Sequence, residues 1–449
     1  MGLAALWRRG DVVVRRSSPS VETCRGRERQ LRLSNSYAGL IAQGTMSVFA
    51  NPLPKQRRRL AVVLSHPIQY FSPWFAHIAA TEEIDLRVFY LWNFGVQPLY
   101  DREFAQSVQW DIPLLEGYES EFVPNRSSDP GTHHVLGLDN PTVVDRLAAW
   151  SPDAILLFGY TYAAHLRILF SRRLRNIPFL LRGDSHDLFR NADWKAPLVR
   201  LGRRRLFRKF AAFLAVGVAN ADYYRNSGVP APRIHFVPHC VDNHRFQAAA
   251  HDALSSAAAW KRELGIPEES TVVLFAGKLE AQKSPIDLLD AFAKAKGNSH
   301  AVLLFVGSGP LETEIKAKAG DRIGRDVFFA PFQNQSRMPM VYAAGNLLVL
   351  PSQEETWGLA ANEAMNLERP VIVSSRVGCG PDLIKTGETG WIFEAGDVDA
   401  LATTLATALR EPRRLREMGC AARHHIDHYS YDIATNGLLR VLRELPSEP

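Results

Sequence analysis

The 449-residue chain has few cysteines and no long hydrophobic run. Cys24, Cys240, Cys379 and Cys420 lie far apart and form no CxxC pair, which argues against a disulfide framework or a structural zinc site and indicates a reducing compartment. No run of about 18 apolar residues occurs, so the sequence predicts no membrane-spanning helix. We therefore expect a cytoplasmic protein.

Over most of its length the chain also lacks an excess of basic charge. Residues 1–59 contain twelve Lys/Arg and three Asp/Glu, a net charge of +9, whereas the remainder contains 41 and 44, a net charge of −3. Nucleic-acid binding through a generally basic surface is therefore not indicated. We predict that residues 1–58 form a disordered basic leader. It is either a transit peptide or a start assigned too far upstream, with the folded protein beginning near Met46.

Short, unbroken apolar runs recur from residue 60 onward and alternate with helix-length amphipathic segments. Strands buried on both faces show this continuous apolarity, so the runs predict parallel sheets covered by helices. The first series comprises residues 61–65, 154–158, 179–182, 213–217 and 234–238, and the second comprises residues 272–276, 301–307, 327–331, 347–351 and 370–375.

A polar, alanine-rich connector between the two series predicts a domain boundary. We assign residues 59–247 to one Rossmann-like domain, 248–270 to a linker, and 271–428 to a second Rossmann-like domain. The carboxyl edge of a parallel sheet is where open α/β folds bind ligands. The predicted fold class is therefore α/β, with a site in the cleft between two sheets.

Glycines and lysines follow the first two strands of the second series. Gly277, Lys278 and Lys283 fall between a strand end and a predicted helix start, where ammonium groups and free amides hold phosphate most easily. The alternative interpretation is that Lys278 and Lys283 are solvated loop residues that bind no phosphate. The next loop, at Gly307, has a GxG spacing but fails as a dinucleotide fingerprint because Glu312 occupies the third glycine position. The glycines of this loop indicate only that a ligand can come close to the main chain.

Two carboxylates, Glu355 and Glu363, flank a helix predicted to begin at about Trp357 or Gly358. With a rise of ~1.5 Å per residue they should bracket the helix end by roughly 7 to 10 Å. The free amides and dipole of that end favour an anion, and carboxylates accept hydrogen bonds from hydroxyls. A nucleotide sugar has hydroxyls at both ends and a diphosphate between them. Chance spacing of two glutamates is the alternative.

Residues 272–400 resemble the donor half of the family-4 retaining glycosyltransferases of the GT-B fold. The resemblance is carried by four ordered motifs: GKLEAQK, VGSGP, SQEETWGLAANEAM, and ERPVIVSSRVGCGPDLI followed by GETGWIFEAGD. The segments HPIQY and WDIPLLEGY are similar to those of a bacterial subset of the family. The resemblance implies an N-terminal acceptor-binding domain, a C-terminal nucleotide-sugar-binding domain, and a helix at 429–449 that crosses back to the N-terminal domain.

The resemblance also implies roles for particular residues and a reaction. Lys278 and Lys283 would neutralise the pyrophosphate, while Glu363 would hold the ribose and Glu355 the transferred sugar. The reaction would be hexosyl transfer with retention to a saccharide, polysaccharide or lipid-linked acceptor, without a metal or other cofactor. The residues whose main chain would lie beside the donor are Gly277, Gly307, Trp357, Gly358, Leu359 and Ala360.

Many members of this family place a histidine in the N-terminal half of the cleft, near the reacting sugar. The candidates for this histidine are His66, after the first strand, and His186 in the segment RGDSHD. Gln69 and Asp184 are further candidates for the acceptor side of the cleft, together with His66. Asp184 and His186 could orient the acceptor hydroxyl or contact the donor sugar, with His186 the candidate catalytic residue. A turn with helix-capping acids is the alternative interpretation of this segment.

The segment 197–213 mixes five arginines and one lysine with leucine, valine and phenylalanine, as helices at membrane surfaces do. It predicts peripheral contact with an anionic membrane at the inner face of the cell membrane, with an ordinary solvated face as the alternative. The spacing of His424, His425 and His428 fits one helix, but this set contains no second type of ligand. We therefore predict no metal site there. Other functions left open are a sugar-nucleotide epimerase of the same fold and a non-catalytic protein with a donor cleft.

Overall fold

The computed structural model describes residues 57–96, 99–101, 106–188, 196–297 and 299–446. Almost all of the predicted leader, residues 1–58, lies outside the described residues. The described chain contains two parallel sheets and an antiparallel pair, formed by β1 (Arg58–Leu64), β2 (Ile84–Tyr90), β3 (Leu99–Asp101), β4 (Gln106–Val108), β5 (Glu119–Phe122), β6 (Ala154–Phe158), β7 (Phe179–Gly183), β8 (Phe210–Ala215), β9 (Ile234–Phe236), β10 (Thr271–Ala276), β11 (Ala301–Val306), β12 (Val327–Ala330), β13 (Leu347–Leu350), β14 (Val371–Ser374) and β15 (Gly390–Phe393).

The first sheet has seven strands in the order β5-β2-β1-β6-β7-β8-β9, and the second has six in the order β12-β11-β10-β13-β14-β15. All neighbouring strands within these two sheets run parallel. β3 and β4 pair antiparallel outside both sheets. The prediction of two Rossmann-like parallel-sheet domains is confirmed. We call the part built on the first sheet the N-lobe and the part built on the second the C-lobe.

Helices cover both sheets. Those of the N-lobe region are α1 (Ser72–Ala80), α2 (Val143–Trp150), α3 (Ala163–Leu169), α4 (Ala196–Phe207), α5 (Val218–Asn226) and α6 (Asn243–Ala248). They are followed by α7 (Ala250–Glu263), α8 (Pro285–Ala295), α9 (Glu312–Ala319), α10 (Met338–Ala344), α11 (Leu359–Asn366), α12 (Gly380–Leu383), α13 (Val398–Arg410), α14 (Pro412–Ile426) and α15 (Tyr431–Glu444). None of the described helices combines the length and apolarity that a bilayer-spanning segment needs.

Sequence analysis missed two strands of the N-lobe sheet, β2 and β5, and β2 has polar residues within it. Its burial alternates over the first four residues, so Asp85 and Arg87 point away from the core. Asp85 forms an ion pair with Arg59 at 3.3 Å, and the Arg87 guanidinium lies 5.4 Å from the centre of the Trp150 ring. These charges interrupt the apolar run that would have marked a strand.

Two other segments differ from the sequence-based expectation. The predicted linker, 248–270, contains helix α7, which buries Ala253, Ala257 and Trp260 and packs against α10. The predicted membrane-surface segment 197–213 is helical only as far as Phe207, and residues from Phe210 onward form the buried strand β8. Burial against neighbouring elements sets the ends of these helices and strands, so the local charge pattern does not predict them.

The C-terminal helix α15 packs on the N-lobe. Its Thr435 hydroxyl accepts a 3.0 Å hydrogen bond from the indole N–H of Trp74, and Leu438 and Leu439 share a buried cluster with β1 residues. The Tyr431 hydroxyl donates to the Tyr70 carbonyl at 3.1 Å. The end of the chain thus holds the loop between β1 and α1 in place.

Candidate active site

The loops after β10 and β11 run so close together that glycine is required in them. A Cβ on Gly307 would lie 2.0 Å from the Gly277 carbonyl oxygen, and one on Gly309 would lie 2.6 Å from that of Leu279. Both glycines also have positive φ angles. The GxG spacing therefore serves the packing of one loop against the other. Lys278, next to Gly277, is half-buried at this edge of the sheet.

Lys283 and Glu355 form an ion pair at the carboxyl edge of the C-lobe sheet. The Lys283 ammonium donates to the Glu355 carboxylate, and their side chains are only 24% and 16% exposed. The two loops are also joined through the main chain, where the Gln353 amide donates to the Gln282 carbonyl at 2.8 Å. The fold thus brings together a lysine and a glutamate that the sequence places 72 residues apart.

Helix α11 begins directly after this ion pair. Gly358 has φ 96° and precedes the first helical residue, Leu359, with Ala360 next. The first amides of a helix have no intrahelical acceptor, so those of Leu359 and Ala360 remain available to an anion. Both residues are half-buried. The helix start predicted near Gly358 is confirmed.

Glu363 lies in the second turn of α11 and is 8% exposed. Its carboxylate accepts a 2.6 Å hydrogen bond from the Tyr342 hydroxyl of α10. Burial raises the pKa of Glu363, while the Tyr342 hydroxyl and the nearby Arg245 guanidinium lower it in part. A carboxylate has acceptor capacity beyond one hydrogen bond, so Glu363 can accept a further hydroxyl.

The Trp357 side chain packs between the lobes. It is 3% exposed, donates from its indole nitrogen to Asn362 at 2.8 Å, and has its ring centre 5.5 Å from that of His239. A Cβ on Gly217 of the N-lobe would approach the Trp357 ring to 2.4 Å. Its side chain therefore has a structural role, and only its main chain remains a candidate for donor contact.

His186 and Asp184 connect the N-lobe to the loop that carries Glu355. The His186 Nδ1 accepts a 3.2 Å hydrogen bond from the Leu188 amide, so its Nε2 carries the proton and donates to the Glu355 carbonyl at 3.0 Å. Both ring nitrogens are thereby used, which leaves no lone pair for proton abstraction and assigns the ring a positioning role. Asp184 accepts from the Thr356 hydroxyl at 2.8 Å.

Tyr70 is a site residue that sequence analysis did not select. Burial raises its pKa, and the negative charges of Asp184, Glu355 and Glu363 raise it further, so the phenol lies within electrostatic range of carboxylates from both lobes. It is the last residue of the HPIQY segment, in the loop after β1. The position after a strand was a usable signal, but a tyrosine in such a loop is not distinctive.

A cavity of about 310 Å³ opens at the carboxyl edge of the N-lobe sheet beside Tyr70. Two basic residues missed by sequence analysis line it. Arg182 is 1% exposed and donates to the carbonyls of residues 237 and 238, and burial lowers its pKa to about 10. His239 is 4% exposed, and its Nδ1 has no hydrogen-bond partner among the described residues. The tyrosines that line the cavity are Tyr70, Tyr160, Tyr162, Tyr223 and Tyr224.

The remaining N-lobe candidates, His66 and Gln69, do not line this cavity. His66 contacts the rings of Trp92 and Phe94 edge-on, at 5.7 and 5.3 Å between centres, and its Nδ1 is 3.0 Å from the Ser65 hydroxyl. Gln69 is half-buried.

Asp382 of the C-lobe caps an N-lobe helix. Its carboxylate accepts hydrogen bonds of 2.9 and 3.1 Å from the Val218 amide at the start of α5, and one of 3.2 Å from the Tyr429 hydroxyl. Burial raises the pKa of Asp382 to about 7, while the two hydrogen bonds oppose that rise. A carboxylate at a helix N-terminus is favourable, but this one is almost fully buried.

Potential metal ligands are present but lie outside the C-lobe motifs. Asp129, His133 and His134 bring their ligand atoms within 4.8 Å of one another in an N-lobe loop, where all three are exposed or half-buried. Of the histidines of α14, His424 and His425 each contact a main-chain carbonyl, at 2.7 and 2.8 Å. Neither group includes a residue predicted to bind the donor.

Comparisons with known proteins identify both halves of the chain. The Glycosyl transferase 4-like domain matches residues 98–240, and Glycosyl transferases group 1 matches residues 256–425. The D-inositol 3-phosphate glycosyltransferase of Rhodococcus opacus is 30% identical over 228 residues, which cover 49% of this chain and 50% of that protein. That of Mycobacterium avium is 33% identical over 202 residues, covering 42% and 46%. The chain thus spans about half the length of these curated relatives.

Solved structures share the architecture. HepE of Anabaena, solved in complex with UDP and glucose, superposes with a TM-score of 0.66 at 18% identity and covers 87% of this chain and 100% of its own. WaaG, a glycosyltransferase involved in lipopolysaccharide biosynthesis, gives 0.60 at 18% identity, covering 86% and 100%. At this identity the likeness establishes the fold alone. Together with the two family models, it shows that the chain belongs to the family-4 glycosyltransferases of the GT-B fold.

Proposed function

We propose that the protein transfers a hexosyl group from a nucleotide sugar to a hydroxyl of a saccharide, polysaccharide or lipid-linked acceptor, with retention of anomeric configuration. The observation that carries the proposal is the Lys283–Glu355 ion pair, half-buried at the start of α11. A cation beside free helix amides suits a diphosphate, and the adjacent carboxylate suits sugar hydroxyls. UDP and glucose in the HepE structure support a nucleotide-sugar donor.

The donor lies across the N-terminus of α11. Lys278 and Lys283 face the diphosphate together with the Leu359 and Ala360 amides. When a phosphate becomes the partner of Lys283, the Glu355 carboxylate is released to accept hydroxyls of the transferred sugar. An ammonium group exchanges partners readily, because it is a point charge with three rotatable donors.

At the other end of the donor, Glu363 accepts a hydroxyl of the ribose. The Tyr342 hydroxyl already donates to this carboxylate and fixes its orientation. A buried carboxylate that lacked donors would be costly, so it favours a ligand that brings hydroxyl groups.

The acceptor hydroxyl enters from the N-lobe cavity, beside Tyr70 and Asp184. Its oxygen forms a bond to the anomeric carbon on the face from which the diphosphate leaves, and the bond from that carbon to the phosphate oxygen breaks. The hydroxyl proton passes to the departing phosphate oxygen. This scheme needs stabilisation of charge on the diphosphate more than a protein base, and the lysines and helix amides provide it. It agrees with the absence of a free nitrogen on His186.

The reaction is proposed to need no metal, because lysines and amides supply the positive charge at the diphosphate. Transfer in the presence of EDTA should equal transfer with added Mg²⁺ or Mn²⁺. A rate that rises at least tenfold with either ion and falls again with EDTA would refute this part of the proposal.

We also propose that the protein works in the cytoplasm at the inner face of the membrane, with α4 towards the bilayer. Leu201 on this helix is 51% exposed, and Arg204 and Arg205, three and four residues later on the same face, are exposed as well. An exposed face that combines apolar and cationic side chains is typical of interfacial helices.

The first experiment measures thermal stabilisation by UDP-, GDP-, ADP- and dTDP-linked sugars, because a ligand that binds the native state raises Tm. The stabilising donor is then used in transfer assays, with the anomeric configuration of the product determined by NMR. Lys283→Met should lower kcat/KM on the order of 100-fold, since it removes a charge aimed at the leaving group. Lys294→Met removes an exposed lysine of the same lobe and should leave kcat/KM unchanged.

No stabilisation by any of the four donors would overturn the proposal. A sugar-nucleotide epimerase would convert the donor itself without an acceptor, which NMR of the donor detects. A non-catalytic cleft protein would bind a donor but give neither product. Equal losses in Lys283→Met and Lys294→Met would show that the ion pair has no special role.

A further inference from the structure

A concave surface opens at the edge of the N-lobe sheet opposite the candidate active site. It has a volume of about 780 Å³ and is lined where strands begin, at Asp153 before β6, Phe179 of β7 and Phe210 of β8. The carboxyl ends of these strands form the other edge of the sheet, roughly 17–20 Å away for strands of this length. Its ligand is therefore not the donor bound at α11.

The groove is strongly cationic in a chain whose residues from 60 onward carry a net charge of −3. Asp153 is the one carboxylate among the described residues that line the groove. It accepts a hydrogen bond from the Arg59 amide at 2.7 Å. Two arginines of the groove donate to main-chain carbonyls. The cationic residues that line it are Arg58, Arg172, Arg175, Arg208, Lys209 and Arg233.

Three of these cations, Arg172, Arg175 and Arg208, are exposed, and their guanidinium groups form no hydrogen bond or ion pair with any described residue. We call the surface formed by these three and Lys209 the basic groove. The Lys209 ammonium lies 4.4 Å from the ring centre of Phe170, which is itself 63% exposed. Four cations converge here with an exposed aromatic ring and without acidic partners, so the groove suits phosphate groups next to an apolar phase.

Helix α4 connects the basic groove with the active-site edge. It begins after the loop that follows β7, at the carboxyl edge, and its last turn leads into Arg208 and Lys209. Twelve helical residues span about 18 Å, which is close to the full height of the sheet. The exposed Leu201 lies on this helix, two turns before Arg208. A flat surface lying along α4 would therefore touch the basic groove at one end and the rim of the cleft at the other.

We propose that the basic groove binds the phosphate headgroups of an anionic bilayer and holds the N-lobe side-on against it. This contact extends the membrane location suggested for α4 and uses residues distinct from the donor site. Phe170 and Leu201 enter the headgroup boundary while the arginines contact phosphate. The cleft rim then faces the membrane surface, where a lipid-linked acceptor is within reach. The exposed apolar residues favour a bilayer over a nucleic acid, which offers phosphate without an apolar phase.

The test measures binding of the full chain to vesicles of phosphatidylglycerol and phosphatidylcholine by co-sedimentation. The groove variant combines Arg172→Gln, Arg175→Gln and Arg208→Gln. Each cation near an anionic surface contributes about fivefold to affinity, so the variant should bind phosphatidylglycerol vesicles on the order of 100-fold more weakly. Neutral vesicles should bind both proteins weakly.

The matched control combines Arg410→Gln, Arg413→Gln and Arg416→Gln, which remove the same net charge from exposed positions on α13 and α14. It should bind phosphatidylglycerol vesicles as the unmodified protein does. Equal loss in both triple variants, or no loss in either, would overturn the proposal.

Two further probes identify other ligands. Inorganic pyrophosphate that stabilises the unmodified protein but not the groove variant, without vesicle binding, would overturn the proposal in favour of a soluble anion. A DNA oligonucleotide bound through the same arginines, again without vesicle binding, would overturn it in favour of nucleic acid. Donor binding, measured by thermal shift, should be equal in all three proteins. If no donor binds but the groove variant alone loses vesicle binding, the groove proposal stands and the proposed chemistry fails.

Discussion

Replacement of Asp382 by asparagine should remove a pH-dependent contribution to the contact between the lobes. The carboxylate accepts from the Val218 amide of the N-lobe and from the Tyr429 hydroxyl, and it is 8% exposed. Burial raises its pKa to about 7 from the ordinary value of 3.8, and the negative charge of Asp222 adds a smaller rise. Asparagine keeps an acceptor oxygen for the Val218 amide but has no charge to desolvate.

The sign follows from proton binding in the two states. Between pH 4 and 7 the folded protein holds a proton on Asp382 that the unfolded chain has lost, so this group's contribution to the free energy of unfolding falls as pH rises. It is fully present below the unfolded pKa and is lost as pH passes through about 7. From pH 5 to pH 8 the loss amounts to roughly 2.5 kcal/mol.

The assay is urea unfolding of the unmodified protein and of Asp382→Asn at pH 5 and pH 8. The variant should gain roughly 2.5 kcal/mol relative to the unmodified protein over this interval. Burial lowers the pKa of His425, which gives the opposite trend, but its hydrogen bond to the main-chain carbonyl of residue 382 is present in both proteins and cancels in the difference.

A control comes from Asp326, whose pKa is shifted the other way. Burial raises the pKa of Asp326, but hydrogen bonds from Lys296 and Arg322 outweigh it and leave the pKa below its ordinary value. Its contribution changes below pH 4, so Asp326→Asn should alter stability equally at pH 5 and pH 8. If Asp382→Asn and Asp326→Asn show the same pH dependence, the assignment of a buried, protonatable carboxyl to Asp382 is refuted.

Two further substitutions test the packing around the cleft. Gly217→Ala places a Cβ 2.4 Å from the Trp357 ring and should lower the free energy of unfolding by about 1–3 kcal/mol in urea unfolding, whereas Gly202→Ala, with open space around its Cβ on α4, should not lower it. Equal effects would contradict the close approach of the lobes. Tyr342→Phe removes the hydroxyl that donates to Glu363 and should cost about 1–3 kcal/mol and raise KM for the donor. An unchanged KM with lowered stability would remove Glu363 from the donor site.

The sequence by itself determined the fold class and most of the C-lobe. Continuous apolar runs such as Ala301–Val306 are buried along their whole length, and local pattern suffices where both faces of a strand are covered. The helix start near Gly358 was also predicted, because the apolar strand runs into the polar segment PSQEETWG before the helical segment begins. Strand β2 was missed since Asp85 and Arg87 on its outer face form contacts that only the neighbouring elements provide.

What only the tertiary structure decided is how side chains from distant segments meet. Lys283 and Glu355 were each candidates from their loops, but their pairing depends on the parallel register of strands β10 and β13. Tyr70, Arg182 and His239 lie at or after strand ends, which is only a weak local signal, and what brings them to one cavity is the packing of segments that are distant in sequence. Periodicity reports the burial of a residue within its own element, whereas a site between two sheets depends on contacts that no local window contains.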